Sequence, residues 1–487
     1  MRQVNHVTNS IKQHGRVYTP NYLVKIILDF GGYNGSVVLR KHVIDNSCGD
    51  GAFLTEIVKR YCSIAFENDC ANTLKDDLET YIHGIELNGK ECEACITNLN
   101  DVVKEFGLKD IKWNIIEGDA LTIDSFDGAM NYVFGNPPYV RVHNLEDSYK
   151  NVKKFKFAEF GMTDLFIVFF EIGFHMLKED GHMCLITPSS WLTSLAGENL
   201  RNYIKTYQNL SGVIDLGHFQ AFNATTYTLI SHYHKSIKQD CVEYHIFNGE
   251  QVLFQERLSY NEIMIGGKFY FSNHDNLDLL KKIKTTISSP YVTVKNGFAT
   301  LADSAFIGNF RFQDGTIPVL KASTGIWSRC IFPYNKNGNP LSYEEFRKKN
   351  DAYHYLQKFS DKLSKKMKDN ENSYWYLFGR SQAIKDVAKR KYAINTIIKD
   401  KKSIRFELVP EGSGIYSGLY ILTEIDSTII KETIISDDFI NYIHLLKNYK
   451  SGGYYTFSSK DLEQYLNYKL TKKYGQSRIS NGSRKLF

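Results

Sequence analysis

Short apolar runs alternate with stretches of helical periodicity between about residues 42 and 235. Apolar runs bounded by glycine or polar residues are typical of buried strands, and apolar residues three and four apart are typical of helices. The pattern predicts helices at 51–62, 89–106, 163–178 and 197–207. It predicts strands with the sequences HVIDNS, YIHGIEL, WNIIEGDAL, YVFGNPPYV, HMCLITP, GVIDLG and TYTLISHYH. This alternation indicates an α/β fold with one doubly wound sheet and a ligand site at the carboxyl ends of its strands.

The pattern changes after about Cys241 to short aromatic segments punctuated by glycine, with scattered helices. We therefore predict two domains, an α/β domain at 1–240 and a separate α+β domain at 241–487. No internal repeat or low-complexity linker marks the boundary, so its position depends on the change of pattern alone.

The composition is that of a globular protein, with 43% hydrophobic and 23% charged residues. No apolar run reaches the roughly 18 residues of a membrane span. The longest candidate, 164–177, is interrupted by Glu171, Gly173 and His175. The opening MRQVNHVTNSIKQHGR lacks the apolar core of a secretory signal, so we expect a cytoplasmic protein with no membrane partner.

The eight cysteines are scattered along the chain, which favours reduced thiols over a disulfide framework. Cys92 and Cys95 have the spacing of half a zinc site, but no second pair of ligands follows at a suitable distance. Because a structural zinc ion needs four ligands, we expect ordinary helix positions there and no metal ion.

The net charge of +6 is mild, but basic residues are clustered in the second half. The clusters are 347–349, 380–391, an acid-free tail at 471–487, and the three lysines Lys362, Lys365 and Lys366. Aromatic residues lie among them at Tyr374, Trp375, Tyr376 and Phe378. Phosphate neutralisation and base stacking need these residue types together, so we predict a nucleic-acid surface in this half. Ordinary solvated surface stays the alternative for any one cluster.

A glycine-rich turn, 45–54 with the sequence DNSCGDGAFL, joins the first predicted strand to a helix. Gly49 and Gly51 let the backbone pass close to a ligand, and the start of the helix offers free amides to a carboxylate or a phosphate. By itself this turn is equally typical of a dinucleotide site or of a tight turn that binds nothing.

Acidic residues end the next two predicted strands. Glu86 stands where Rossmann-like sheets place the acid that accepts ribose hydroxyls, and Asp119 is placed to accept from an adenine amino group. Either acid alone fits a helix cap or a surface carboxylate as well. Three consecutive strand ends with a glycine turn and two acids together predict a pocket for an adenosine with a charged tail.

The segment FGNPPYV, 134–140, follows the fourth predicted strand. Its two prolines fix an extended backbone and have no donors of their own, so the Pro137 carbonyl and the Asn136 side-chain oxygen can face one ligand as acceptors. Two converging acceptors suit an NH2 group, and Tyr139 offers a face on which a planar ring can stack. The structural alternative is a rigid Pro-Pro turn with a packed tyrosine.

Asn136-Pro137-Pro138-Tyr139 after a strand, preceded by the glycine turn, resembles the NPPY motif of amino-group methyltransferases. RVYTPNYLVKIIL, 16–28, resembles the segment that closes over S-adenosylmethionine (SAM) in the gamma class of DNA adenine methyltransferases, the TaqI-like enzymes of restriction-modification systems. Segments 163–194 and 216–230 are similar to later parts of that family, and fragments 296–308 and 319–323 look like pieces of its target-recognition domain.

The resemblance implies a Rossmann-like SAM-dependent methyltransferase sheet followed by an α+β target-recognition domain. It implies a type II modification enzyme that transfers a methyl group from SAM to the exocyclic amine of an adenine flipped out of duplex DNA. We expect a monomer that binds double-stranded DNA, and a separate cognate restriction endonuclease stays open as a partner.

The resemblance also assigns site residues. The catalytic set is Asn136, Pro137, Tyr139 and Phe222, with Phe219 as the alternative aromatic. The cofactor set is Tyr18, Thr19, Pro20, Asp45, Ser47, Gly49, Gly51, Phe53, Glu86, Asp119, Ala120 and Asn136. The chain departs from the family pattern at Asn46 and Ser47, where many relatives have Pro and Ala, and at Ala120, where some have an aromatic.

Three other functions each fit part of this pattern. A protein glutamine methyltransferase shares the NPPY motif, but segment 16–28 and the long second half argue against it. A DNA cytosine-amine methyltransferase would more often have Ser at the position of Asn136. A DNA-specificity subunit without catalysis would leave the motif and the predicted SAM pocket unexplained.

Overall fold

The computed structural model describes residues 18–142, 149–159, 164–222, 226–285, 291–365 and 374–482. The chain divides into two compact units, Met1–Asp278 and Leu279–Phe487. The expected boundary after residue 240 therefore lies inside the first unit. Two further strands, at 241–259, pair with the sheet that precedes them, and this pairing extends the first unit.

The first unit contains a sheet of nine strands in the order β3-β2-β1-β4-β5-β7-β6-β8-β9. These strands are β1 (Val43–Asp45), β2 (Ile82–Glu86), β3 (Asn114–Glu117), β4 (Met130–Gly135), β5 (Leu177–Pro188), β6 (Leu210–Asp215), β7 (Thr228–His234), β8 (Cys241–Phe247) and β9 (Val252–Ser259). A small hairpin follows, made of β10 (Met264–Ile265) and β11 (Lys268–Phe269).

The helices of the first unit connect these strands. They are α1 (Asn21–Phe30), α2 (Ala52–Glu67), α3 (Leu74–Tyr81), α4 (Gly89–Lys104), α5 (Tyr149–Val152), α6 (Leu165–Met176), α7 (Glu198–Tyr207) and α8 (Tyr260–Ile263), and α9 (His274–Thr285) crosses into the second unit. Each predicted helix overlaps an observed one, although the predicted start at Thr163 lies outside the described residues. Helices α1, α3, α5, α8 and α9 have no predicted counterpart.

The predicted α/β fold class is confirmed, and each predicted strand overlaps an observed one. Strands β1 to β5 are parallel, and β7 runs antiparallel between β5 and β6. Strand β1 has β2 on one side and β4 on the other, so the crossovers leave in opposite directions and a crevice opens at their carboxyl ends. All three residues of β1 are buried, as expected for a strand covered on both faces.

The second unit is built from three small sheets and short helices, in agreement with the predicted α+β class. The sheets have the orders β12-β20-β16-β18, β13-β15-β14-β19 and β17-β22-β21. The strands are β12 (Val292–Asn296), β13 (Ile307–Gly308), β14 (Thr316–Lys321), β15 (Ile326–Ile331), β16 (Lys391–Ile394), β17 (Ile397–Ile398), β18 (Phe406–Val409), β19 (Gly414–Tyr416), β20 (Leu419–Thr423), β21 (Tyr449–Lys450) and β22 (Tyr454–Thr456). The helices are α10 (Asp303–Phe306), α11 (Tyr343–Arg347), α12 (Asn350–Gln357), α13 (Ser360–Ser364), α14 (Ser427–Ile434), α15 (Asp437–Leu445) and α16 (Ser459–Gly482).

Part of the predicted nucleic-acid surface is core. Tyr376 and Phe378 are buried in the hydrophobic core of the second unit, so neither ring can stack on a base, whereas Tyr374 is exposed. Lys391 is buried, and its Nζ donates to the carbonyls of Asp386, Lys389 and Ser413. Burial lowers the pKa of Lys391 to about 8. Among the predicted basic residues, Lys366 and the end of the tail, 483–487, lie outside the described residues.

None of the described helices combines the length and the apolar character that a membrane span requires. The apolar helix α6 instead packs inside the first unit, and its Glu171 is only 7% exposed. The Glu171 carboxylate accepts hydrogen bonds from the main-chain N–H groups of Lys156 and Phe157, at 3.0 and 2.7 Å.

We predict that Glu171→Leu lowers the free energy of unfolding by about 1–3 kcal/mol, because two main-chain N–H donors, one of them buried, lose their acceptor. Urea denaturation followed by circular dichroism measures this loss. The matched control is Glu93→Leu on an exposed position of α4, expected to stay within about 0.5 kcal/mol of the parent. An equal effect of both substitutions would contradict the assigned role of Glu171.

Candidate active site

The glycine turn lies between β1 and α2 at the carboxyl edge of the sheet. Gly49 and Gly51 both have a positive φ, of 54° and 90°, and Gly51 is the residue that precedes α2. Gly51 has no side chain to cap the helix, and the Asp50 carboxylate accepts a main-chain hydrogen bond from Ala52, the first residue of α2. The other amides at the start of α2 can bind an anionic group of a ligand.

The Glu86 carboxylate at the end of β2 connects two loops. One oxygen accepts from the Gly49 N–H at 3.0 Å, and the other accepts from the Asn88 N–H at 2.8 Å. The Glu86 carbonyl accepts from the Gly118 N–H at 2.8 Å, which links the end of β3 to the same point. Glu86 thus holds the ends of β1, β2 and β3 in one arrangement.

Asp45 at the end of β1 is 1% exposed, and its carboxylate accepts from the Ser47 N–H at 3.0 Å. A Cβ at Gly135 on the neighbouring strand would lie 2.8 Å from an Asp45 oxygen, so only glycine leaves room for the carboxylate. Burial, together with the smaller effect of the nearby carboxylates of Glu86 and Asp50, raises the pKa of Asp45 to about 7.

The Asn136-Pro137-Pro138-Tyr139 loop begins where β4 ends, beside the glycine turn. The Asn136 Nδ2 donates to the Thr19 Oγ1 at 3.1 Å, and the Ser47 hydroxyl donates to the Asn136 carbonyl at 3.4 Å. These contacts join the segment before α1, the glycine turn and the loop after β4. Among the described residues, no donor binds the Pro137 carbonyl.

The two predicted stacking aromatics, Tyr139 and Phe222, are neighbours. Their ring centroids are 6.2 Å apart with an angle of 74° between the planes, and Tyr139 also contacts the edge of Phe166. The Tyr139 hydroxyl donates to the Ile186 carbonyl at 3.2 Å. Phe219, the alternative aromatic, contacts Tyr22 and Phe247 instead. Phe222 is therefore the one that lies against Tyr139.

A cavity of about 320 Å³ lies at this edge of the sheet. The predicted residues that line it are Tyr18, Thr19, Asp45, Ser47, Gly49, Phe53, Glu86, Asp119, Ala120 and Asn136. The predicted residues that do not line it are Pro20, Gly51, Pro137, Tyr139 and Phe222. Pro20 precedes α1, and its carbonyl accepts from the N–H groups at the start of that helix. Gly51 packs on Cys95, whose sulfur would lie 2.8 Å from an added Cβ.

Sequence reasoning missed several lining residues. They are Asn46, Cys48, Asp50, Ala52, Ile85, Leu87, Asn88, Glu91, Gly118, Leu121, Pro138, Val140, Leu165 and Phe169. Those next to a predicted residue could have been inferred from adjacency. Leu165 and Phe169 could not, because only the packing of α6 brings them to the cavity.

The cavity is acidic. Five of its lining residues are carboxylates, namely Asp45, Asp50, Glu86, Glu91 and Asp119, and the described lining residues include no Lys, Arg or His. One Asp119 oxygen accepts from the Leu121 N–H at 3.0 Å, and the Tyr18 hydroxyl donates to Glu91 at 3.2 Å. Clustered carboxylates favour a cationic ligand and oppose a pyrophosphate. The acidic lining therefore argues against a dinucleotide site, which the glycine turn by itself left open.

The fold and the turn define a Rossmann-like sheet with a nucleoside-sized site at its switch point. Residues 52–222 match the model of the Eco57I restriction-modification methylase family. The resemblance to the methylases of restriction-modification systems that was predicted from the sequence is confirmed.

Two curated relatives are similar to this chain. The type II methyltransferase M.BstVI of Geobacillus stearothermophilus is 30% identical over 220 residues, which cover 43% of this chain and 39% of the relative. The type II restriction enzyme and methyltransferase RM.Eco57I of Escherichia coli is 23% identical over 483 residues, which cover 76% of this chain and 48% of the relative. The chain spans less than half the length of these two relatives.

Among solved structures, the type IIL restriction-modification enzyme MmeI in complex with DNA has a TM-score of 0.60 at 12% identity. The similarity covers 93% of this chain and 64% of the MmeI chain. At this level of identity the likeness supports the fold class alone, and function has to be argued from the residues of the site.

We predict that Glu86→Gln lowers the free energy of unfolding by about 1–2 kcal/mol, because an amide NH2 then faces a main-chain N–H donor. The matched control is Glu117→Gln, whose exposed carboxylate lies one strand away in the same register. We expect that control to change stability by less than about 0.5 kcal/mol in urea unfolding. A larger loss for Glu117→Gln than for Glu86→Gln would refute the role of Glu86 in joining the loops.

Proposed function

We propose that this chain is a SAM-dependent DNA methyltransferase of a restriction-modification system that methylates the exocyclic amine of adenine. The observation that carries the proposal is an acidic, nucleoside-sized cavity lined by Asn136, at the start of the Asn-Pro-Pro-Tyr loop. The match of residues 52–222 to restriction-modification methylases supports it. The nuclease of such a system would be either a separate partner or a further part of the same protein, as the name of the relative RM.Eco57I indicates for that protein.

SAM fits the residues of this cavity. SAM carries a sulfonium and an ammonium group, and the buried Asp45 and its carboxylate neighbours would stabilise such positive charges. Glu86 and Asp119 would accept from the ribose hydroxyls and the adenine amine, while the amides at the start of α2 would bind the carboxylate end. When bound, SAM supplies an electrophilic methyl group.

The chain's own residues would bind and orient the target amine. The Thr19 contact holds the donor end of the Asn136 amide, so the acceptor Oδ1 points away from Thr19. The Asn136 Oδ1 and the Pro137 carbonyl would together accept both N–H groups of an adenine amine and direct its nitrogen toward the cavity. After methyl transfer the excess proton on the nitrogen would leave to water, without a strong general base.

The target base would enter beside Tyr139 and Phe222 after leaving the duplex, at a cost of roughly a few kcal/mol in stacking and pairing. The two rings now meet edge to face. Stacking a base between them would require one ring to rotate. The edge-to-face contact would then be exchanged for contact with the base.

The second unit is proposed as the DNA target-recognition domain. A cleft of about 690 Å³ there is lined by Lys402, Arg405 and Tyr454 together with the amide of Asn296. Cationic, aromatic and amide side chains are the groups that bind phosphates and base edges. The exposed Tyr374 and Trp327 add stacking surface in the same unit.

Tritiated methyl transfer from SAM to duplex DNA, followed by nucleoside analysis, tests the proposal. We expect label in N6-methyladenine. Label in N4-methylcytosine would assign the reaction to the cytosine amine, and label in protein glutamine would replace DNA as the substrate. No transfer to any DNA of mixed sequence would reject the proposed activity.

We predict that Asn136→Ala lowers single-turnover methylation by about 100-fold or more, because the amine loses one of its two acceptors. SAM affinity, measured by calorimetry, should stay within about threefold, since the substitution acts on the transition state. The control Asn202→Ala, on an exposed position of α7, should leave the rate within about twofold of the parent. Unchanged turnover in Asn136→Ala would remove this loop from the mechanism.

We predict that SAM affinity rises as the pH increases through about 7 and then levels off. The raised pKa of Asp45 means that the carboxylate is protonated below that pH, and a cationic ligand binds the ionised form more tightly. Calorimetric Kd values over this pH range, compared with those of Asp45→Asn, test the effect. Titration of the ligand's own amine is common to both proteins, so the ratio of the two Kd values isolates Asp45. A ratio independent of pH would contradict the assignment.

A further inference from the structure

Three histidines meet on one face of the central sheet. His182 on β5 lies directly opposite His234 on β7, and His232 is two residues earlier on β7 and therefore on the same face. Each histidine offers a ring nitrogen that lies within 4.8 Å of those of the other two. The sequence His-Tyr-His at 232–234 already places two imidazoles on one side of a strand. Only the pairing with β5 brings in the third.

This cluster is separate from the candidate active site. His182 is the cross-strand partner of Tyr132, whereas Asn136 follows four residues further along β4, a distance of about 13 Å for an extended chain. None of the three histidines lines the acidic cavity. Nothing in the proposed methyl transfer uses them.

Ser211 lies beside the outer ring nitrogen of His232. Its Oγ is 2.8 Å from the His232 Nδ1 and 3.0 Å from the His232 carbonyl. When the hydroxyl donates to the carbonyl, the Ser211 Oγ accepts from Nδ1–H, and the His232 Nε2 carries a lone pair. That lone pair is 3.2 Å from the His182 Nδ1. A polar partner on the outer ring nitrogen is the usual support of a metal-binding imidazole.

The third histidine has an unsatisfied nitrogen. The Nδ1 of His234 is buried and has no hydrogen-bond partner among the described residues. His182 also stacks on Tyr132 and His232, and this ring packing does not require the nitrogens to converge.

We propose that His182, His232 and His234 bind one divalent transition-metal ion, with Zn²⁺ as the ion whose ligand preference fits best. Three imidazole nitrogens are a known donor set for Zn²⁺, with water at the fourth position. His182 and His234 are partly exposed, which gives the ion and its water access. This site is additional to the methyl-transfer site, for which no metal was expected.

The ligands stand on paired strands, so the site exists before the ion arrives. Such an ion stabilises the folded chain by mass action rather than by creating the fold. Its effect should therefore appear in thermal stability and leave SAM binding unchanged.

The test uses the untagged full chain, stripped with a chelator and titrated with Zn²⁺ by calorimetry. We expect one tight site per chain and a rise in Tm with added Zn²⁺. His234→Asn should weaken Zn²⁺ binding by more than about 10-fold, and Ser211→Ala by about 10- to 100-fold through loss of the outer partner. The control is His274→Asn, since the exposed His274 contacts Glu256 and Glu262 and is the natural place for adventitious binding.

Two outcomes would overturn the proposal. One is the absence of Zn²⁺ binding to the chelator-treated parent chain. The other is binding that survives in His234→Asn and is lost in His274→Asn. If His234→Asn does not fold, the proposal is tested by adding Co²⁺ to the parent chain. The proposal requires the visible absorption of a nitrogen-bound tetrahedral ion and an anomalous-scattering peak beside His182, and a peak elsewhere rejects it.

Discussion

The Glu86 carboxylate is the contact on which the candidate site depends. The two carboxylate oxygens accept from the N–H groups of Gly49 and Asn88. The main-chain carbonyl of Glu86 accepts from the Gly118 N–H. Without it, the loops after β1, β2 and β3 would each have to find their own hydrogen-bond partners. A carboxylate that already accepts two amides is also fixed in direction, so a hydroxyl of a ligand would meet an acceptor that needs no reorganisation.

The acidity of the cavity has a cost that a ligand can relieve. Burial and neighbouring carboxylates make ionised Asp45 unfavourable in the protein alone. A cation beside Asp45 would offset the repulsion between the Asp45, Glu86 and Asp50 carboxylates. Binding of a cationic ligand would therefore favour ionised Asp45 and release a proton. The same field repels phosphates, and in this respect the cavity differs from a dinucleotide site built on a similar glycine turn.

The second unit illustrates why a basic, aromatic segment is a weak predictor of surface. Tyr376 stacks on Phe346 in the core, where a tyrosine ring supplies buried apolar area. Lys391 is held inside by three carbonyls that replace its water shell. Tyrosine and lysine side chains both have an apolar body with a polar end. The same residue types therefore occur on a nucleic-acid surface and at interior positions where the polar end is hydrogen-bonded.

Local sequence patterns were enough to predict seven strands and four helices of the first unit, the glycine turn, and the acids at the end of β2 and just after β3, because each of these is encoded within a few consecutive residues. They also placed Asn136 directly after a strand. The tertiary structure decided that Phe222 rather than Phe219 contacts Tyr139, that α6 contributes Phe169 to the cavity, and that β8 and β9 belong to the first unit. It alone brought His182 to His232 and His234. These contacts join residues far apart along the chain, and their formation depends on strand register and helix packing, which no local pattern specifies.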